Sequence, residues 1–349
     1  MRAAVLTAVR ELTVMEVPSP LATRGEVVVE VAVNALCGSD VHAFQGEHPR
    51  VGVGGWFGHE LAGVVTAVGS DVSRAAVGDR VAVDSVLPCH RCTQCRSGHS
   101  NRCSNYLTTG SRGDGGLAEL IRVPETNVHP IPAELTLESA ALVQPMAIAH
   151  HAVHRVAGVR SGDVVSVVGA GPVGLFVLVL CRQLGALVVV SDPHPARKEM
   201  ADQLGAARVV GAGPEAVLGA LGNLGSAAGS DHTFDCVGGA AGSAVLATCA
   251  RVTAPGGSLT ILGTYSGDTL PLPNKDLAMK EVLVRSSRSY TATSYVDSLR
   301  MVVEGTVQMP DLVTHRFPLD RAHDALARLD AGDPEIVKAV VCPQERCET

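Results

Sequence analysis

Aromatic residues are scarce, 3% of 349 residues, with one Trp, four Tyr and five Phe. Lysine is rarer still, at four residues against 24 arginines, and no basic run appears. The formal net charge is -7. Nucleic acid and anionic membrane surfaces reward clustered Lys and Arg, so neither is an expected partner. The opening MRAAVLTAVRELTVMEV lacks a long apolar core with a small-residue cleavage site, and Glu11 arrives early. That argues against a secretory signal and leads to the expectation of a cytoplasmic protein. One long stretch is free of charge, VVSVVGAGPVGLFVLVLC at 164–181. Its length is at the low end for a membrane span, and Pro172 with three glycines interrupts it. A strand, a tight turn and a buried helix fit better.

A reducing compartment disfavours stable disulfides. Yet PCHRCTQCRSGHSNRC places four of the chain's ten cysteines at 89, 92, 95 and 103, spaced C-x2-C-x2-C-x7-C. Cys89, Cys92, Cys95 and Cys103 read as a zinc site. Four thiolates close a tetrahedron and leave no open position, the mark of a structural metal. His90 and His99 in the same lobe are surplus to that shell. Cys181, Cys236 and Cys249 lie in apolar runs and read as small core residues. Cys342 and Cys347 are isolated.

The length points to two domains. Over the first 140 or so residues, EVVVEVAVNAL, LAGVVTAVG and DRVAVDSVL read as strands separated by Gly and Pro turns. From about residue 160, strands alternate with helices, the pattern of a doubly wound parallel sheet. GAGPVG follows the first of these strands and opens a helix. Gly169 allows the tight turn, Gly171 lets a pyrophosphate approach the backbone, and Gly174 lets helix and strand pack closely. Pro172 and Val173 complete the loop. The next strand ends in Asp192, where an acid meets the adenosine ribose hydroxyls. A carboxylate there repels a 2′-phosphate, which favours NAD over NADP, and Arg197 is the nearest arginine.

A closed four-thiolate site leaves no position for chemistry. CGSDVH at 37–42 and GHE at 58–60 offer ligands for a second metal: Cys37 a thiolate, His59 an imidazole, with Glu60 beside it. CGSDVH, GHE, the four-cysteine lobe, GAGPVG with Asp192, and LVTHRFPL occur in this order. Together they resemble the zinc-containing medium-chain dehydrogenase/reductase family, with CGSDVH most similar to its polyol (sorbitol-type) branch and threonine dehydrogenases next.

The resemblance implies an α/β chain. A GroES-like β-rich catalytic domain would span 1–146, with its zinc lobe at 88–104. A Rossmann NAD-binding domain would span 147–286, and residues 287–349 would return to the catalytic domain. It implies two zinc ions per chain. Cys37 and His59 would hold the catalytic one, with Glu60 a third ligand or one that exchanges with water. Ser39 and His42 match the family's proton relay. One position departs: Gln144 stands where the polyol branch has Glu, and its uncharged amide is expected beside the ligands Cys37, His59 and Glu60 rather than among them. His150, His151 and His154 follow on a helix and read as packing or surface residues.

The function so implied is reversible oxidation of a secondary alcohol, polyol or cyclitol-like, to a ketone with hydride transfer to NAD. Zinc would polarise the hydroxyl, Ser39 would take its proton, and His42 would release it to water. Phe44, Trp56, Phe57 and Arg288 are candidate pocket walls. The alternatives are a threonine-type amino-alcohol dehydrogenase, a zinc-poor enone or quinone reductase, and a non-catalytic NAD-binding protein. The partners expected are the alcohol or ketone and further copies of the chain, as a homodimer or homotetramer. KEVLVRSSRSY is a candidate interface strand.

Overall fold

The computed structural model describes residues 1–344 apart from 112–113, 240, 266–268 and 270. Cys347 therefore lies outside the described residues. The chain forms two compact units, Met1–Gln144 with Thr291–Thr349, and Pro145–Tyr290. The crossings fall two residues before and four residues after those read from sequence.

The first unit is built on a seven-stranded sheet. Its backbone is the strand Glu26–Ala35, paired antiparallel with Glu60–Val68 and with Leu120–Pro124. Val27, Val29, Val31, Leu61, Val65, Val81, Val83 and Ile121 pack into one apolar cluster. β-branched residues suit such a strand because their restricted side chains fit the pleated surface. The C-terminal strand Lys338–Cys342 pairs antiparallel with Glu26–Ala35, so both ends of the chain build one sheet. Arg316 grips Glu138 across 178 residues with two hydrogen bonds of 2.7 and 2.8 Å, which ties the returning segment to the helix Leu137–Ala141. Such forked pairs add geometric specificity as well as energy.

DRVAVDSVL is not one strand. It breaks into Arg80–Val83 and Val86–Leu87. Asp84 Oδ1 accepts from Val86 N at 2.9 Å, and Asn127 Nδ2 donates to the carbonyls of Asp84 and Val86 at 2.8 Å. A buried turn stabilised by side chains has won over apolar alternation.

The second unit carries a six-stranded parallel sheet in the order Arg208–Val210, Leu187–Ser191, Val164–Val168, Ser230–Asp235, Thr253–Ile261, Leu283–Ser286. The strand order reverses around Val164–Val168, the topological switch where doubly wound sheets bind ligands. The uncharged stretch is strand, glycine turn and the helix Pro172–Gln183, as expected. Leu175, Phe176, Val177, Leu178 and Leu180 of that helix are fully buried. Each such side chain contributes roughly 1.5–3 kcal/mol by leaving water. Among the described residues no helix is long and apolar enough to cross a membrane. The helix Val143–His150 runs on into a π-helical turn at His151–Ala157. His150 and His151 are buried there, and the His150 and His154 rings lie 4.4 Å apart.

Candidate active site

Cys37 caps the short helix Gly38–Phe44. Asp40, three residues on, reaches back and accepts from Cys37 N at 2.9 Å, which starts the helix as a capping box does. The same carboxylate faces His59: Asp40 Oδ1 lies 3.6 Å from Nδ1, and the other ring nitrogen, Nε2, lies 3.5 Å from Cys37 Sγ. His59 is delivered by Gly58, whose φ of +104° is open to glycine and strained for other residues. A Cβ there would stand 2.6 Å from Asn34 Oδ1. Ligand atoms of Cys37, Asp40 and His59 all lie within 4.8 Å of one another.

Burial pushes the Cys37 thiol up, and the Asp40 charge adds to it. Burial would also raise Asp40, but the charge of His59 and hydrogen bonds from His59 and Cys37 outweigh it and hold the carboxyl below its usual range. Burial opposes a charged His59; Cys37 and Asp40 outweigh that and raise the ring well above its ordinary value. A buried thiol, an imidazole and a carboxylate packed this closely are the donor set of a soft divalent cation, which would favour the thiolate. An imidazole with a carboxylate behind its second nitrogen is the usual arrangement of a metal-bound histidine. The residues fit zinc.

The structure departs from the expected ligand set in one respect. Glu60 is not in this cluster; it is buried and paired with Lys338. The carboxylate nearest Cys37 and His59 is Asp40, which faces His59 Nδ1. Sequence reading passed Asp40 over as part of CGSDVH, although a carboxylate three residues after a candidate ligand cysteine was the available signal. Gln144 is 4% exposed, its Nε2 lies 3.4 Å from Ser85 Oγ, and its Oε1 has no hydrogen-bond partner among the described residues. Ser39 Oγ lies 2.9 Å from Cys37 Sγ, and His42 Nδ1 faces Glu47 at 3.2 Å. Phe44 and Phe57 are core residues, 1% and 2% exposed, packed with Leu6, Leu36, Phe317 and Leu326. Trp56 packs on Ala3, Val5 and Ala118. Apolar burial has claimed the aromatics expected as pocket walls.

In the cysteine lobe, the sulfurs of Cys89, Cys92, Cys95 and Cys103 lie within 4.8 Å of one another. Backbone N–H groups point at them: Cys95 N to Cys92 Sγ at 3.5 Å, Cys89 N and Asn105 N to Cys103 Sγ at 3.3 Å each. Hydrogen bonds from the Cys95 and Ser104 backbone bring the Cys92 thiol down to about 5, while desolvation and sulfur neighbours push Cys95 up to about 12. The preformed backbone donors favour thiolate. His90 and His99 are exposed and outside the cluster.

In the second unit, Gly169 has φ +98°, and a Cβ on Gly174 would meet Gly169 O at 1.9 Å, whereas Gly171 faces open space. Turn, close packing and room for a ligand are thus divided among the three glycines. Asp192 is 2% exposed; Oδ2 accepts from Ala170 N and Oδ1 from His194 N, both at 2.8 Å. Arg197 Nε is buried and has no hydrogen-bond partner among the described residues. A cavity of about 410 Å³ beside this turn is lined by Gly169, Pro193, Gly213, Val237, Ala244 and Thr248, among others. Small, mostly apolar walls suit a flat heterocycle.

A parallel sheet with a glycine turn at its switch point, and a separate β-rich unit with two cysteine-bearing clusters, define a metal-dependent dehydrogenase. Residues 23–133 match the alcohol dehydrogenase GroES-like domain, and residues 172–304 match the zinc-binding dehydrogenase model. Sorbitol dehydrogenase of Bacillus subtilis is 31% identical over 98% of this chain and 97% of its own. An alcohol dehydrogenase from Escherichia coli solved with NADH has TM-score 0.88 and 27% identity, covering 98% of this chain and 99% of that one. A zinc-binding dehydrogenase from Sinorhizobium meliloti bound to NADP has TM-score 0.87 and 28% identity, at 98% and 99% coverage. The chain belongs to the zinc-containing medium-chain dehydrogenase/reductase family, in its polyol dehydrogenase branch. It is an alcohol dehydrogenase, which sets aside the non-catalytic alternative.

Proposed function

We propose that this enzyme oxidises a secondary alcohol of the polyol or cyclitol type to a ketone, with NAD as hydride acceptor. The observation that carries the reading is the buried Cys37–Asp40–His59 cluster. In this reading Cys37 and His59 hold a catalytic zinc, with the unpartnered Gln144 Oε1 as a further neutral donor. Bound there, zinc supplies Lewis-acid activation of a hydroxyl, and NAD supplies the hydride acceptor.

The chain's own residues do the rest. Asp40 orients the His59 ring and accepts from Cys37 N, so one carboxylate positions both ligands. Ser39, exposed and next to Cys37, takes the alcohol proton. His42, one turn further along the same helix and partly exposed, releases it to water, with Glu47 orienting its ring. Cys89, Cys92, Cys95 and Cys103 hold a second, structural zinc.

NAD is favoured over NADP because both Asp192 oxygens are held by backbone N–H groups. The carboxylate cannot turn away from a 2′-phosphate. Gly169, Gly171, Pro172, Val173 and Gly174 form the pyrophosphate turn, with Arg197 near the adenosine end. Relatives named for sorbitol support a polyol. The edge strand Leu283–Ser286 exposes Leu283 and Val284, which suits pairing with a second copy. The test is elemental analysis followed by a panel of polyols, cyclitols and threonine with NAD and NADP. Two zincs per chain and polyol-dependent NADH formation support the reading; one zinc, retained in Cys37→Ser, overturns it.

A further inference from the structure

Between the helix Gly38–Phe44 and the strand Glu60–Val68, the chain turns at His48, Pro49, Arg50 and Val51. Pro49 has no N–H to give, and the next two backbone donors both go to the His48 ring. Nδ1 accepts from Arg50 N at 3.3 Å and from Val51 N at 3.2 Å. A ring nitrogen that accepts carries no proton, so the proton of the neutral imidazole sits on Nε2. Burial lowers the ring's pKa, and the charges of His59, Arg50 and His42 act in the same direction, against Asp40. The ring is therefore a neutral donor, and it stands close enough to the Cys37–Asp40–His59 cluster for two of that cluster's charges to act on it. It is half-buried, and Nε2 has no hydrogen-bond partner among the described residues. A turn that needs only an acceptor is served by Asp, Asn or Ser; a histidine adds a donor on the far side of its ring. The proton relay of Ser39 and His42 leaves that donor without a task.

We propose that His48 is a specificity-determining residue: its Nε2–H donates to the hydroxyl oxygen next to the carbon being oxidised. It thereby selects polyols over simple secondary alcohols and over amino alcohols. This rests on the polyol reading above. A hydroxyl offers lone pairs to Nε2–H, a hydrocarbon offers none, and a protonated amine is donor only, so the two donors would face each other. A site built to hydrogen-bond one hydroxyl rejects analogues without it more strongly than an apolar pocket can.

The experiment measures initial rates of the zinc-loaded enzyme with NAD for wild type, His48→Ser and His48→Gln. The substrates are the best of sorbitol, xylitol, myo-inositol and 2,3-butanediol, set against 2-butanol and cyclohexanol, which lack the second hydroxyl. Ser keeps an acceptor for the turn but is too short to reach substrate; Gln keeps a donor at about the reach of Nε2. His48→Ser is expected to lose about 10–100-fold in kcat/KM for the polyol, the worth of one hydrogen bond and an unpaired hydroxyl, and to change the mono-alcohols by less than about twofold. His48→Gln should recover most of the polyol rate with the same pH profile, since a donor that keeps its proton adds no titration. Undiminished polyol rates in His48→Ser overturn the proposal. Equal losses for polyol and mono-alcohol, or zinc lost from the Cys37–His59 cluster, overturn it too, because His48 would then only support its loop. A limb of the pH profile missing in His48→Gln would assign His48 a proton transfer instead. In all these cases the polyol reading stands. No NADH from any polyol with wild type overturns that reading and this inference with it. If His48→Ser does not fold, His48→Thr carries the same comparison.

Discussion

Two buried aspartates, one in each unit, sit beside cysteines and behave in opposite ways. Asp40 is 2% exposed, has the Cys37 N–H and the His59 ring as partners, and is held below the usual carboxylate range by His59 and its hydrogen bonds against the cost of burial. Asp235 is fully buried at the end of the strand Ser230–Asp235 and accepts one backbone bond, from Val237 N at 3.1 Å. Its Oδ2 has no hydrogen-bond partner among the described residues, and burial pushes it up to about 7. Burial is common to both. What separates them is the supply of donors and positive charge, which puts one aspartate in a candidate cation cluster and leaves the other without a compensating partner. The neighbouring thiols Cys236 and Cys249 are raised well above normal by burial and then by Asp235, with no imidazole to oppose it.

The largest effect expected from this contrast is on turnover. Cys37→Ser should lower kcat by at least about 10³-fold, because Lewis-acid activation is worth several kcal/mol and each 1.4 kcal/mol is tenfold. Zinc content should fall to the structural ion alone. Cys236→Ser should leave zinc content at the wild-type value, since that thiol has no cation-seeking surroundings. Equal zinc loss in both variants would erase the distinction between the two sites.

Asp235→Asn should stabilise the protein, with a pH dependence whose sign follows from linkage. The folded carboxyl titrates near 7 and the unfolded one near 3.8, so between those values the folded state binds more protons and stability falls as pH rises. Below about pH 4 both states are protonated and Asn, a near-isostere, should cost or gain little. Above pH 7 the difference should level off at on the order of 4 kcal/mol in favour of Asn, since each tenfold change in proton affinity is worth roughly 1.4 kcal/mol. Urea unfolding of both proteins from pH 4 to 9 measures it. A gain independent of pH would mean that packing, not charge, is responsible.

Asp40→Asn should weaken zinc at the Cys37–His59 cluster by about 10–100-fold, the usual loss when the carboxylate behind a ligating histidine is removed. The four-cysteine lobe should keep its metal. Chelator-induced release, followed for the two ions separately, distinguishes the outcomes. Simultaneous release of both would mean that Asp40 supports the fold rather than the site.

The contrast also marks where sequence reading reaches. Cys89, Cys92, Cys95 and Cys103 span one short loop, so spacing alone brings the sulfurs together. The same holds for Gly169, Gly171 and Gly174, each of which has a local geometric task. Cys37 and His59 stand 22 residues apart, and residue type flagged them, but their partners depend on the closed sheet. Lys338 reaches Glu60 only because the C-terminal strand pairs antiparallel with Glu26–Ala35, a register no local pattern encodes. The break at Asp84–Ser85 and the burial of Phe44 and Phe57 escape sequence reading for the same reason: side-chain partners from distant segments override local alternation.

Asp192 stands between the two aspartates and gives the smallest expected change. It is as buried as Asp40, but its two partners are neutral backbone donors, Ala170 N and His194 N, rather than a charged ring. Its negative charge is therefore fixed in place without being neutralised, which is the condition for repelling a 2′-phosphate. Asp192→Asn removes the charge and keeps one acceptor. The proposed preference for NAD over NADP, as the ratio of kcat/KM values, should fall by about tenfold, or about 1.4 kcal/mol. Most of the change should appear in KM for NADP, because the repulsion acts on binding rather than on hydride transfer. An unchanged ratio would mean that the Asp192 charge does not discriminate between the two cofactors.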